Sequence, residues 1–497
     1  MPPLSVAGAV ARAKLSNLQL ELAKHNTLAE AQIRALQNQL SAITFPVQIL
    51  PLEITSQIFR VYHATAESRG DVARLDSSPM PLTRVCRLWR KIAFSMTELW
   101  SDVELDVGQG VPEMYGSMLS DWLNRSKHRL ISLTLLDGFG AHSDTHWDAP
   151  IDMDDFGSIL RQFASRIRTL KLIFLSPPEL EKISAWTVDF PSLEETTIIP
   201  AEGIESPSWV LGLFGNTPSL RSVKVSDMWT PNLNISWCSL TRAAFDYVGL
   251  ASPLGLSDLV HGLAQIPVLK QCSLVIRLKS DAQEPDRIVE PFRHVTVEDL
   301  SVSIKGDGHD LDRFFSAFTF PSLHTLRIRS QTELNPTTLP AFLARSNPPL
   351  ERLTLDDATT SCLDLFCRFS RIEELTLHHP NRWVMCHFFG SMRRNSDLNY
   401  FPALRRLEFG CELQCDRQGS SRELLFDEAL EIVGPAIRMR RAFESAQGTQ
   451  RVQALRINYR LDGAAVLSCP EDQLAVLREL KQLGMDIYAG THTGSII

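Results

Sequence analysis

An apolar anchor followed by mostly apolar residues three and five positions later recurs a dozen times between residues 129 and 457. "PSLRSVKV" (218–225), "PSLHTLRI" (321–328) and "PPLERLTL" (348–355) show it, with Leu323, Leu326 and Ile328 or Leu350, Leu353 and Leu355 in the three places. The second and third places are two residues apart, so on an extended chain they point the same way. A chain written like this expects a strand in every unit. No single unit can bury its apolar side alone, so units must stack.

The anchors fall at residues 130, 167, 193, 220, 240, 269, 297, 323, 350, 372, 404 and 452. Most successive anchors are 20 to 29 residues apart, the period of a leucine-rich repeat in which the remainder returns as helix or turn. "LDRFFSAF" (311–318) and "LPAFLARS" (339–346) read as such short return helices. The regular asparagine of tidy repeats is lacking, so the expectation is a leucine-rich-repeat-like α/β solenoid over residues 106–497. Two long steps break the period, near 137–155 ("DGFGAHSDTHWDAPIDMDD") and near 411–447. Insertions in a solenoid tend to gather on one face, often the binding face. A helix and strand close the array: Ser468 with Glu471 forms a capping box, and Gly484 stops the helix before "MDIYAG".

Ahead of the repeats the texture is helical. Residues 12–43 hold no Gly or Pro and place Leu15, Leu18 and Leu22, then Ala29, Ile33, Leu36, Leu40 and Ile43, at three-four spacing. His25 falls at the slip between the two runs, a stutter. This helix, residues 1–44 as a unit, either packs on its own protein or pairs as a short coiled coil. Pro46 ends it, Thr44 and Phe45 being pushed out of the helical region. A second helix opens at Pro51, with Glu53 in its first turn and Ile54, Ile58 and Tyr62 on one face. From Leu82 helical spacing resumes through Val85, Leu88, Trp89 and Ile92, followed by a turn to Leu99 and Trp100.

The net charge of −8 and the absence of a basic block leave a nucleic-acid backbone no obvious counter-surface. No run approaches the length of a membrane span, and the opening residues are unlike a secretory leader. With nine scattered cysteines, a reducing cytoplasmic or nuclear home is expected, and no membrane partner. Metal and cofactor sites are not expected. His142, Asp144, His146 and Asp148 alternate in a solvated acidic loop; Cys362, Cys367, His378, His379, Cys386 and His387 read as repeat core; Cys411 and Cys415 read as free thiols. Asp152, Asp154 and Asp155 lack a frame for acid/base work, and no phosphate-cradling or nucleophile-elbow motif appears. No catalytic residue is assigned, so the chain is not expected to be an enzyme.

"ILPLEITSQIF" (49–59) with "LTRVCRLWRKIAFSMTELW" (82–100) resembles the F-box, and the whole layout is similar to the large F-box family of mushroom-forming fungi. Leu52 stands where the motif commonly has a second proline, and residues 63–81 make the gap between halves long. The resemblance implies a three-helix F-box over 45–105 that docks the Skp-family adaptor of a cullin-RING ubiquitin ligase. It also implies that the repeats hold an unknown protein substrate for ubiquitin-dependent degradation. The adaptor-binding residues carried over are Leu50, Pro51, Leu52, Glu53, Ile54, Ile58, Phe59, Val85, Cys86, Trp89, Leu99 and Trp100. The alternative is a repeat scaffold whose N-terminal helices only cap the solenoid. Exposure of Leu50, Pro51, Ile54 and Trp89 separates the two.

Overall fold

A computed structural model describes residues 3–43, 50–68, 79–106, 115–137, 153–201, 209–228, 232–247, 253–279, 290–305, 308–329, 337–356, 359–367, 371–380, 382–394, 400–413, 452–461, 471–482, 484–491 and 494–495. The chain divides into two compact units, Met1–Trp100 and Ser101–Ile497.

The first unit opens with α1, Pro3–Ile43, an unbroken helix that starts earlier than the spacing predicts and runs straight through His25. Its seam is open: Leu15, Leu18, Leu22, Ile33 and Leu36 are all more than half exposed. Thr44, Phe45 and Pro46, expected to end it, lie outside the described residues.

Helix α2, Leu52–Ser68, begins where Pro51 supplies the first carbonyl, which accepts from the Thr55 N–H at 3.1 Å, and Glu53 sits in its first turn. The second half of the motif corrects the reading from the sequence. Instead of one helix from Leu82, there are two, α3 (Met80–Val85) and α4 (Arg87–Ser95). Cys86 separates them in an extended conformation, φ −157°, and its sulfur accepts the Trp89 N–H at 3.4 Å, capping α4. Arg90 Nε donates to the Thr83 carbonyl at 2.9 Å, pinning α4 to α3. A 3-10 turn, Thr97–Trp100, then drives Leu99 and Trp100 into the core, where the indole N–H donates to Ala93 O at 2.8 Å.

The second unit is a solenoid around one 15-stranded sheet. Its strands are β1 (Asp102–Asp106), β2 (Ile131–Leu136), β3 (Ile167–Leu175), β4 (Glu195–Pro200), β5 (Ser222–Ser226), β6 (Arg242–Asp246), β7 (Gln271–Ile276), β9 (Asp299–Ile304), β11 (Thr325–Arg329), β12 (Arg352–Asp356), β13 (Glu374–His378), β14 (Arg406–Leu413), β15 (Ala454–Leu461), β16 (Asp486–Thr491) and β17 (Gly494–Ser495). They lie side by side in chain order and all pair in parallel, except that β16 and β17 are antiparallel. β8 (Phe292–Arg293) and β10 (Phe318–Thr319) form a separate parallel pair. Each of the twelve anchored segments contains a strand, preceded by β1, whose Val103 and Leu105 repeat the inward pair. That strand moves the end of the helical unit from the expected 105 to Trp100.

The period dictates the core. Inward positions align across the sheet in register, Leu300 with Leu326, Leu326 with Leu353 and Leu353 with Leu375, and all four are buried. The first repeat departs: Leu130 is 46% exposed and Ile131 is buried in its place. Several return segments are helices, as in Gly308–Ala317 and Thr338–Ser346. Where the step is shortest, between residues 220 and 240, the return is only a 3-10 turn, Trp237–Ser239. Phe314, Phe315, Phe318, Phe320 and Phe342 pack edge to face and tilted behind the middle strands.

The place of an asparagine ladder is taken by hydroxyls one residue before the anchor. Ser192 donates to Ser165 O at 2.7 Å, Ser219 to Pro191 O at 2.6 Å, Thr296 to Pro267 O at 2.9 Å and Ser322 to Val295 O at 2.7 Å. Each bond joins one repeat to the one before it, which gives the "PSL" triplets their physical reason.

The insertions at 138–152 and 414–451, with His142, Asp144, His146, Asp148, Asp152 and Cys415, lie outside the described residues, as does Ser468. Helix Glu471–Gln482 ends before Gly484, whose φ of +80° suits glycine, and β16 follows. Among the described residues no helix is long and apolar enough to cross a membrane.

Candidate docking surfaces

Each unit presents one distinctive surface. In the first, α2 and α4 close a small core around Phe59, Ile92, Ala93, Leu99 and Trp100. Phe59 meets the Trp89 ring edge to face at 4.9 Å, and Arg60 reaches Glu98 at 3.1 Å. Helical periodicity then settles what faces out: Thr55 and Phe59 are inside, and Ile54 and Ile58, one residue back, are outside.

The twelve residues carried over from the resemblance therefore fall into three groups. Pro51, Leu52, Glu53, Ile54, Ile58 and Val85 are exposed, Leu52 and Val85 at 57% and Ile54 at 51%. Leu50, Cys86 and Trp89 are half-buried. Phe59, Leu99 and Trp100 are buried; they hold the unit together and offer nothing to a partner without unfolding it. Leu88, 40% exposed, belongs with the outward group, though the motif alone did not single it out. Its signal was its place between the inward Arg90 bond and the capping Cys86, visible only once the helix break is known.

The surface on the second unit is the outward side of the sheet. Residues flanking the inward apolar ones alternate in charge from strand to strand: Arg168 with Glu194 at 2.8 Å, Arg242 with Glu195 at 2.5 Å, Lys270 with Glu298 at 3.0 Å, and Arg406 with Glu374 at 3.5 Å. Toward the other end of the strands, buried Asp356 takes Arg327 at 2.8 Å, with His378 Nε2 4.0 Å from its second oxygen. Burial pushes the His378 imidazole below its ordinary value, against the pull of Asp356. Gly410 is paired with His378 in the register, and a Cβ there would overlap the ring. At the starts of β6, β7, β9, β11 and β12 the outward side chains surround a pocket of about 510 Å3.

The buried thiols are core. Burial pushes Cys272 and Cys362 up to about 12, far from a nucleophile's range. Cys362 and Cys367 are buried at one helix, Thr360–Phe366, whereas Cys386 is exposed on the next. His387 bonds Asp364 at 2.8 Å. Among the described residues no group of three His, Cys, Asp or Glu side chains could hold a metal ion.

No family model matches the chain. No curated protein matches it either. Among solved structures it is similar to the "Crystal structure of Rad7 and Elc1 complex in yeast", at 12% identity and a TM-score of 0.34, covering 80% of this chain and 96% of that one. A likeness at that level carries no argument about partners, and the α/β solenoid stands on its own strand order and register.

Proposed function

We propose that the chain is a substrate-recruiting subunit of a cullin-RING ubiquitin ligase. The helical unit docks a Skp-family adaptor, and the outward strand face holds a protein target. Catalysis belongs to other subunits, and this chain contributes proximity by bringing a target lysine near the activated ubiquitin. The observation that carries the reading is the set of exposed aliphatic side chains Leu52, Ile54, Ile58, Val85 and Leu88 on a unit whose own core is already closed. Covering each half-exposed side chain stabilises a complex by about 1 kcal/mol, on the order of half the value for full burial. The F-box resemblance of residues 49–59 and 82–100 says what kind of protein would cover them.

The reading as a mere cap is favoured by Leu50 and Trp89, which are half-buried. It leaves the exposure of Pro51 and Ile54 without a purpose.

The test is a pull-down of the full chain with the host's Skp-family adaptor, alongside an Ile54→Asp, Ile58→Asp double variant. Both positions face outward, so the variant is expected to stay folded, which its melting temperature checks. Adaptor binding that the variant loses supports the ligase reading; binding that it keeps, or none by the wild type, overturns it.

A further inference from the structure

The pocket on the strand face has an order of charge that names its occupant. One register row runs Arg242, Gln271, Asp299, Thr325 and Arg352 across five neighbouring strands, so a carboxylate sits midway between two guanidinium groups. The acids around it are already engaged, Glu195 by Arg242 and Glu298 by Lys270. The Asp299 carboxylate is not: among the described residues it makes no hydrogen bond or ion pair, Gln271 and Thr325 flank it in the register, and Arg352 is the cation that acts on it through space. Arg352 bonds Thr325 through Nε at 3.0 Å, which leaves its two outer nitrogens for another acceptor. Burial raises the Asp299 carboxyl above its ordinary value, and Arg352 offsets this only in part.

We infer that this pocket binds a protein segment in the polyproline II conformation, carrying a basic side chain flanked by acidic ones three residues away on either side. The inference rests on the proposed role of the strand face in holding a target, and it specifies that target's chemistry. Adjacent strands are about 4.8 Å apart, so Asp299 and either arginine are separated by about 10 Å, close to one turn of polyproline II, three residues at about 3.1 Å each, which brings positions three apart to the same side. A Lys or Arg above Asp299 would supply a close cation, and the flanking acids would meet Arg352 on one side and, on the other, Arg242 and Lys270, each sharing its charge with the glutamate it already holds. An anion placed at the centre would instead face an uncompensated carboxylate.

The experiment uses the full chain and two labelled peptides, Ala-Glu-Ser-Ala-Arg-Ala-Ser-Glu-Ala and its charge-inverted form Ala-Arg-Ser-Ala-Glu-Ala-Ser-Arg-Ala, followed by fluorescence anisotropy at low salt. The first is expected to bind at least about ten-fold tighter, an effect of three ion pairs that added salt erodes. Asp299→Asn reduces the preference, and Asp299→Lys reduces it further. Equal affinities, no saturable binding of the first peptide, or a variant that behaves like the wild type would overturn the inference. Adaptor capture by Asp299→Lys, measured in parallel, separates this outcome from failure of the ligase reading, since Asp299 lies in the other unit.

Discussion

The two units expose opposite kinds of surface. On the helical unit the outward set is aliphatic, Leu52, Ile54, Ile58, Val85 and Leu88. Along the sheet the outward side is charged and internally paired, as in Arg168 with Glu194 and Lys270 with Glu298. An aliphatic set gains free energy from any dry, complementary cover and suits one permanent partner. A lattice of exposed ion pairs gains little from each contact and discriminates by matching sign and spacing, which suits choosing among targets. Under the proposed function, holding and selecting fall on different units.

The largest expected effect breaks the helical side of that comparison from within. Trp100→Ala removes a fully buried ring and its bond to Ala93, at a cost of about 3 to 5 kcal/mol. Calorimetry is expected to show an early transition for the helical unit, with the melting of the solenoid in place. A single cooperative shift of the entire chain would contradict two independent units.

A smaller change sharpens the solenoid side. Ser322→Ala deletes one rung of the hydroxyl ladder, and loses about 1 kcal/mol of stability. Chemical denaturation measures it, and Ser219→Ala, four strand intervals away in the same ladder, should add to it independently. Loss well above the sum would mean that the ladder acts as a unit.

The smallest effect is a pH slope. His294 is buried with Nε2 3.0 Å from Ile266 O, and burial holds its pKa below the ordinary imidazole value. Between that lowered value and the unfolded value of about 6.5, the unfolded chain binds more protons, so stability falls as pH drops through this window. His294→Gln should flatten the slope of urea midpoint against pH below about 6.5. An unchanged slope would assign it to other groups.

Much of the solenoid was legible because its signal is repeated. The pair Leu326 and Ile328 in one unit is confirmed by Leu353 and Leu355 in the next, and buried strands tolerate little else there. What repetition could not reveal were single events. β1 carries only Val103 and Leu105 directly behind a helical motif, too little to announce a strand. The ladder serines looked like ordinary turn residues, since their bonds reach a carbonyl some 27 residues away, as from Ser192 to Ser165. On the helical unit, apolar character alone could not separate Phe59, Leu99 and Trp100, which are inside, from Ile54, Ile58 and Val85, which are outside. On α2 that choice follows the helical period set by Thr55 and Phe59, and for Val85 it follows the break at Cys86, where a sulfur caps the next helix.

Hydrogen exchange on the full chain, with and without the host's Skp-family adaptor, tests the division of labour most directly. The account predicts that adaptor slows exchange in peptides spanning α2 and α4 and leaves peptides from β6 to β12 unchanged. Protection on the strands, with α2 and α4 unaffected, would contradict it.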